Sequence, residues 1–142
     1  MVKTEIVEVK SANVNLINQF LLNAGSSLKT FRYFEKRSLE TIQNHLITYA
    51  LVKEDQVIGY GHLEKEIDKV WLGIAIIESQ LGKGFGFYLM NTLVDFARKL
   101  QIKTLHLSVD KVNLGAIKLY EKVGFFKIDE LNENSYLMKM KL

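Results

Sequence analysis

Apolar and polar positions change period along the chain. Val2 to Val9 sets Val2, Ile6 and Val7 against Lys3, Glu5 and Glu8, which predicts a half-buried strand. Asn13 to Asn23 carries Val14, Ile17, Phe20, Leu21 and Leu22 near a 3.6-residue period, an amphipathic helix ending before Gly25. Residues 25–37 are irregular and aromatic, and Ser38 to Asn44 reads as a short helix capped by Ser38. Three apolar runs follow, Ile47 to Lys53, Val57 to Glu64 and Val70 to Ile77. The short polar turns between them predict an antiparallel meander. The longer period then returns. Phe85 to Leu100 is a helix with Phe85, Leu89, Leu93, Phe96, Ala97 and Leu100 on one face. Thr104 to Val109 is a strand, Asn113 to Lys122 a helix stopped by Gly124, and Phe125 to Asp129 and Ser135 to Lys141 are strands around an Asn-rich turn. The order is β-α-α-β-β-β-α-β-α-β-β. It contains one strand–helix–strand crossover, which requires a parallel pair.

Composition narrows the chemistry. A chain of 142 residues builds a single domain with a core of its own. It has no cysteine, so disulfides, thiolate-bound metals and a Cys nucleophile are excluded. It has no proline, so turns fall to Gly, Asn, Asp and Ser. The longest uncharged apolar run, Val70 to Ile77, is far short of the roughly 20 residues of a membrane helix. No charged leader precedes an apolar segment, so a cytoplasmic domain is expected. The net charge of +3 is unevenly spread. Residues 80–127 hold eight Lys/Arg and three Asp/Glu, a net of +5, while the flanking segments are each at −1. No helix concentrates Arg and no RNA-binding aromatic strand is visible, so nucleic acid is not the expected partner.

The basic segment opens on Gly82-Lys83-Gly84-Phe85-Gly86. Glycines at this spacing, after a strand and before a helix, let a ligand approach the backbone. The first helical amides are unpaired and the helix dipole is positive there, so the loop suits a phosphate. It is neither a Walker loop nor a dinucleotide fingerprint. A turn that merely reverses the chain accounts for the glycines equally well.

The second half resembles the GNAT acetyltransferase superfamily. The resemblance is carried by Ile74-Ala75-Ile76, by Leu81-Gly82-Lys83-Gly84-Phe85-Gly86, and by Asn113-Leu114-Gly115-Ala116-Ile117-Lys118-Leu119-Tyr120-Glu121-Lys122-Val123-Gly124-Phe125. It implies an α/β (α+β) fold: a mixed, mostly antiparallel sheet of about seven strands with helices on both faces. Residues 1–69 would form the acceptor-side half, 70–127 the acetyl-CoA core and 128–142 the C-terminal strand of one domain. The resemblance implies that Leu81, Gly82, Lys83, Gly84, Phe85 and Gly86 hold the CoA pyrophosphate. Ile74 and Ile76 would pair with the pantetheine arm as with an added strand. The Ile76 amide would polarise the thioester carbonyl. Asn113 would contact pantetheine, and Tyr120 would protonate the departing thiolate. Two departures are visible. Leu81 stands where the family usually has Gln or Arg, with Gln80 a partial substitute, and the family's proline near Glu78 is missing.

Acetyl transfer also needs the acceptor amine deprotonated. Alternation along Val57 to Glu64 places Ile58, Tyr60, His62 and Glu64 on one face. His62 and Glu64 are the candidate bases, with Glu66 and Glu78 behind them; a partly buried polar residue on a sheet face accounts for His62 as well. Lys29 to Arg37 packs four cations and three aromatics into nine residues. There, Phe31, Arg32 and Tyr33 are candidates for binding an acceptor with an anionic group, such as an amino-sugar nucleotide; the same aromatics would also serve as core plugs. Other readings are a peptide amine as acceptor and a non-catalytic acyl-CoA-binding module. Without cysteine, transfer must be direct. No metal is expected. The C-terminal strands, with Tyr136 to Met140, could pair between subunits of a homodimer.

Overall fold

The computed structural model describes residues 3–142; the start of the first predicted strand, at Val2, lies outside them. Seven strands form one sheet: β1 (Thr4–Glu8), β2 (His45–Lys53), β3 (Gln56–Glu66), β4 (Lys69–Ile76), β5 (Thr104–Asp110), β6 (Phe126–Asn132) and β7 (Ser135–Lys141). Their spatial order is β1-β2-β3-β4-β5-β7-β6. Only the β4–β5 pair is parallel, the crossover running through helix α2 (Phe85–Lys99). The expected mixed, mostly antiparallel sheet is the one observed. Glu54 and Asp55 close the β2–β3 hairpin in the left-handed region, with φ of 49° and 66°.

Helices cover both faces. Helix α1 (Asn15–Asn23) buries Ile17 and Phe20 against a cluster with Tyr60, Ile58 and Leu51. On the other face, α2 buries Leu89, Met90, Leu93, Val94 and Ala97. Helix α3 (Leu114–Val123) buries Tyr120 in the same core as Leu105, Leu107 and Met138. The α2 stripe is therefore centred one position from the predicted face, and Leu100 is outside it, half exposed. In α1, Leu22 points to solvent for the same reason: a nine-residue helix presents two turns, and Ile17 and Phe20 fill them.

The expected second α-helix is absent. Gly25–Lys29 and Leu39–Asn44 are 3₁₀ turns, and Ser38 makes no side-chain cap bond. Six residues with β-branched Thr41 and Ile42 are too few to sustain α-helical bonding, and the tighter turn wins. The two C-terminal strands pair with each other inside the sheet. Strand β7 lies between β5 and β6, so both its edges are taken, and the edge at this end of the sheet is β6.

Candidate active site

A cleft of about 1000 Å³ runs between the two halves. Its origin is the parting of β4 from β5. The two strands share a single bridge, Trp71 with His106. Above it the strands diverge, and the β4 edge has no strand partner.

Ladder alternation says which β4 groups are open. Ile77 N–H donates to the Ile58 carbonyl at 2.9 Å. With the register Gly59↔Ile76 to Glu64↔Trp71, odd-numbered residues of β4 therefore bond to β3. Even-numbered residues face β5. Val70 and Leu72 flank the bridge and make its hydrogen bonds, so Ile74 is the first free amide beyond it and Ile76 the second. The Ile76 carbonyl accepts from Ser27 Oγ at 2.7 Å.

At the upper end of the cleft, Gly82 and Gly84 adopt φ of +74° and +87°, and a Cβ on either would meet nothing within 4 Å. Their glycine identity is required by backbone conformation, and the turn aims the first α2 amides at open space. Leu81, Gly82, Gly84 and Gly86 line the cleft, whereas Lys83 and Phe85 do not. Phe85 instead packs against the α1-side core under Lys53. Gln80 is engaged by Lys53 at 3.2 Å and Lys83 at 3.5 Å. Phe87, not foreseen from sequence, does line the cleft, with Lys122 4.6 Å above its ring. Asn113 lines it too, as the cap of α3 accepting from Ala116 N–H. Tyr120 is 8% exposed and reaches the same wall; burial pushes its hydroxyl above the ordinary 10, so it stays protonated.

The lower end gathers side chains from three distant segments. Tyr33 lies against His62, ring centroids 4.4 Å apart, and His62 stacks on His45 at 4.3 Å. The Tyr33 hydroxyl donates to Glu64 Oε1 at 2.9 Å and contacts His45 Nε2 at 2.7 Å. Having spent its proton on Glu64, it accepts from His45, whose Nδ1 then takes the Thr48 hydroxyl proton at 2.8 Å. A chain of donors thus runs from Thr48 to Glu64. Burial holds His45 down at about 4 and pushes Tyr33 up to about 12, so both stay neutral. Burial holds His62 well below 6.5.

His45, His62 and Glu64 have ligand atoms within 4.8 Å of one another. Their suitability for a cation is limited by ring geometry. A metal lies in the plane of each imidazole that binds it, and these two rings are stacked with only 28° between their planes. Their lone pairs run side by side instead of converging. The cluster is built as a hydrogen-bond network.

Of the other candidates, Phe31, Arg32 and Glu66 line the cleft and Glu78 does not. Arg32 does not present a free fork to the cleft. Both its terminal nitrogens bond Asp110, at 3.0 Å each, tying the 25–44 segment to the end of β5. Arg37 also lines the cleft; it lies 4.3 Å over the Tyr33 ring, donates to the Tyr33 carbonyl at 3.0 Å and makes no ion pair among the described residues. Phe31 packs with Phe20, Phe34 and Tyr60 and closes the cleft floor from the core side. Glu66 lines the cleft rim. Glu78 is engaged structurally, accepting from Ser26 N–H at 2.6 Å and filling the space beside Gly25. His45 and Thr48 gave no sequence signal, because only folding brings β2 against β3; Arg37 was visible as one cation of the 29–37 run but was not singled out.

Comparison with known proteins places this arrangement among described ones. The Acetyltransferase (GNAT) family pattern matches residues 15–125. The ribosomal protein bS18-alanine N-acetyltransferase of Haemophilus influenzae is 32% identical over 104 residues, 70% of each chain. The uncharacterised N-acetyltransferase YobR of Bacillus subtilis is 31% identical over 100 residues, 70% of this chain but 34% of that one. Among solved structures, the PaiA N-acetyltransferase of Thermoplasma acidophilum, in complex with coenzyme A, superposes with a TM-score of 0.80 at 18% identity, covering 99% of both chains. The ribosomal-protein-S18-alanine N-acetyltransferase of Escherichia coli gives 0.74 at 18%, covering 98% of this chain and 94% of that one.

Proposed function

The chain belongs to the GNAT acetyltransferase family, and on that premise we propose that it moves an acetyl group from acetyl-CoA to a primary amine by direct attack. The observation that carries the reading is the open β4 edge at Ile74 and Ile76, continuous with the Gly82–Gly86 turn. A pantetheine arm has amide donors and acceptors spaced to pair with such an edge. A pyrophosphate suits the amides at the start of α2, and Lys122 with Phe87 offers charge and an aromatic face nearby.

Direction along β4 assigns the ends. The phosphate end lies at the glycine turn, so the acyl end lies toward Trp71 and Gly73, where β3 brings His62 and Glu64. Ile74, not Ile76, is then the amide that polarises the thioester carbonyl in this reading. The amine nitrogen forms the new bond to the carbonyl carbon while the carbon–sulfur bond breaks. Tyr120 gives its proton to the sulfur, and Glu64, directly or through water, takes the proton the nitrogen loses. Tyr33 anchors one Glu64 oxygen and leaves the other for this work.

The amine is a primary amine of either a small molecule or a peptide. Similarity to the bS18-alanine enzyme supports a peptide amine. Arg37, unpaired beside Tyr33, supports an acceptor with an anionic group. With Arg32 committed to Asp110, the amino-sugar-nucleotide version loses its phosphate fork and rests on Arg37 alone. The test is calorimetric titration with acetyl-CoA, then thiol release across peptides, amino acids, polyamines and amino-sugar nucleotides. Saturable acetyl-CoA binding with turnover on one amine class supports the reading. Binding without turnover on any class favours a non-catalytic module. Absence of binding refutes the acetyl-CoA assignment.

A further inference from the structure

His62 is more deeply placed and more rigidly held than a general base requires. It is 3% exposed, and its ring packs against both Tyr33 and His45, which also touch each other. Its Nδ1 lies 2.7 Å from the Tyr60 hydroxyl. Tyr60 is itself 1% exposed, and its hydroxyl has no other partner among the described residues. A buried hydroxyl that fails to donate is costly. Tyr60 therefore donates to Nδ1, and the His62 proton resides on Nε2, an assignment made from the network.

Nε2 has no protein partner, yet His106 Nδ1 is the one unpartnered side-chain nitrogen or oxygen fully buried among the described residues. Nε2 thus opens on the cleft that His62 lines. Its neighbour there is β4. The ring lies over Gly73, where a Cβ would come within 2.5 Å of Cε1 and 2.7 Å of Nε2. Glycine at this position is what lets the ring lie over the strand. The next residue is Ile74, the first free β4 amide. Two N–H donors, one imidazole lying over position 73 and one backbone at position 74, are therefore neighbours at the acyl end of the cleft.

We propose that His62 Nε2–H is a second hydrogen-bond donor to the thioester carbonyl oxygen, acting with the Ile74 amide, and that Tyr60 is the positioning residue that fixes its tautomer. This rests on the acetyl-CoA reading above. The chemical role is electrophilic: as the amine attacks, the carbonyl oxygen gains negative charge, and both donors are already oriented toward it. His62 neither takes nor gives a proton in this step. A neutral imidazole suits it, since burial keeps the ring uncharged and its N–H fixed.

The test requires no knowledge of the amine. Carbonyl-¹³C acetyl-CoA is bound to the protein without acceptor, and the carbonyl stretch is read by isotope-edited infrared spectroscopy. The native protein should lower the frequency relative to free acetyl-CoA. His62→Leu should lose part of that shift, His62→Gln should keep some of it, and acetyl-CoA affinity should change less than about tenfold. With an acceptor in hand, His62→Leu should lower kcat by about 10²–10³-fold. Nitrogen-15 NMR of the free protein should show His62 protonated at Nε2, and Tyr60→Phe, which conserves volume, should mix the tautomers. An unchanged carbonyl frequency in a folded His62→Leu variant, or a proton on Nδ1 in the native protein, would overturn the proposal. So would loss of turnover in His62→Leu with the carbonyl shift intact, which is the signature of a base. Failure of the native protein to bind acetyl-CoA would overturn the functional reading and this proposal together, and is separable because it appears before any variant is made.

Discussion

The two ends of the cleft are built from different materials. The upper end uses the backbone: β4 amides left open by a strand that diverges, and a turn held by two glycines in the left-handed region. The lower end uses side chains: Tyr33 from a loop, His45 and Thr48 from β2, and Tyr60, His62 and Glu64 from β3. Backbone recognition depends on chain geometry and tolerates changes of exposed side chains. Side-chain recognition depends on which residues meet, and each position counts. The Arg32–Asp110 pair ties the lower loop to the end of β5, and Ser27 ties it to β4 through the Ile76 carbonyl.

The comparison can be broken in several places. The largest effect is expected where one side chain reaches the reacting atoms. Tyr120→Phe should cut kcat by about 10²-fold or more, with the acetyl-CoA dissociation constant nearly unchanged; equal rates in a stopped-flow thiol assay would remove Tyr120 from the chemistry. Gly84→Val forces a β-branched residue to φ near +87°, a strain of roughly 1–2 kcal/mol, and displaces the turn. Acetyl-CoA affinity by calorimetry should drop by about tenfold or more, and unchanged affinity would argue that the turn is mere chain reversal.

Acid should expose the lower cluster. Burial holds His45 at about 4 against an ordinary 6.5, and His62 shifts the same way. The unfolded chain takes these protons first, so the contribution is intact above about 6.5 and is lost as pH falls toward 4. The urea midpoint should fall more steeply between pH 7.5 and 4.5 in the native protein than in His45→Gln. Parallel curves would mean that His45 is not held neutral by the fold.

Smaller still is the tie between halves. A double-mutant cycle on Arg32→Ala and Asp110→Ala should give a coupling of about 0.5–1 kcal/mol, because Arg32 is largely solvated. Zero coupling would mean that this ion pair adds nothing to the sheet and to the Ser27–Ile76 and Ser26–Glu78 bonds that also join the halves. Least of all, Leu81→Gln should change the Michaelis constant for acetyl-CoA by about twofold at most. Leu81 is 56% exposed, and the cradle beside it is made of amides. A tenfold gain would show that the side chain matters more than the backbone argument allows.

The same division explains what could be read in advance. At the upper end the glycine turn was legible because left-handed backbone has residue requirements at Gly82 and Gly84, whereas Ile74, Ile76, Asn113 and Tyr120 were singled out by the resemblance to a known family. The order of elements along the chain, the parallel crossover and the face shared by Tyr60, His62 and Glu64 were legible from periodicity. Misreadings came where neighbours decide. The 38–44 helix became a 3₁₀ turn, and Leu22 and Leu100 turned outward. Arg32 looked like a ligand for phosphate until Asp110, 78 positions away, was found in its fork.

Sequence alone therefore determined the alternation of strands and helices, the glycine turn, the absence of any thiol chemistry and the family to which these patterns are similar. All of these follow from local backbone preference and composition. Tertiary structure decided which β4 amide is free, which nitrogen of His62 carries the proton, and why position 73 is glycine. Each depends on a partner distant in the chain: the strand that diverges, the hydroxyl of a buried tyrosine, or a ring laid across a neighbouring backbone. Local preference carries no information about such partners.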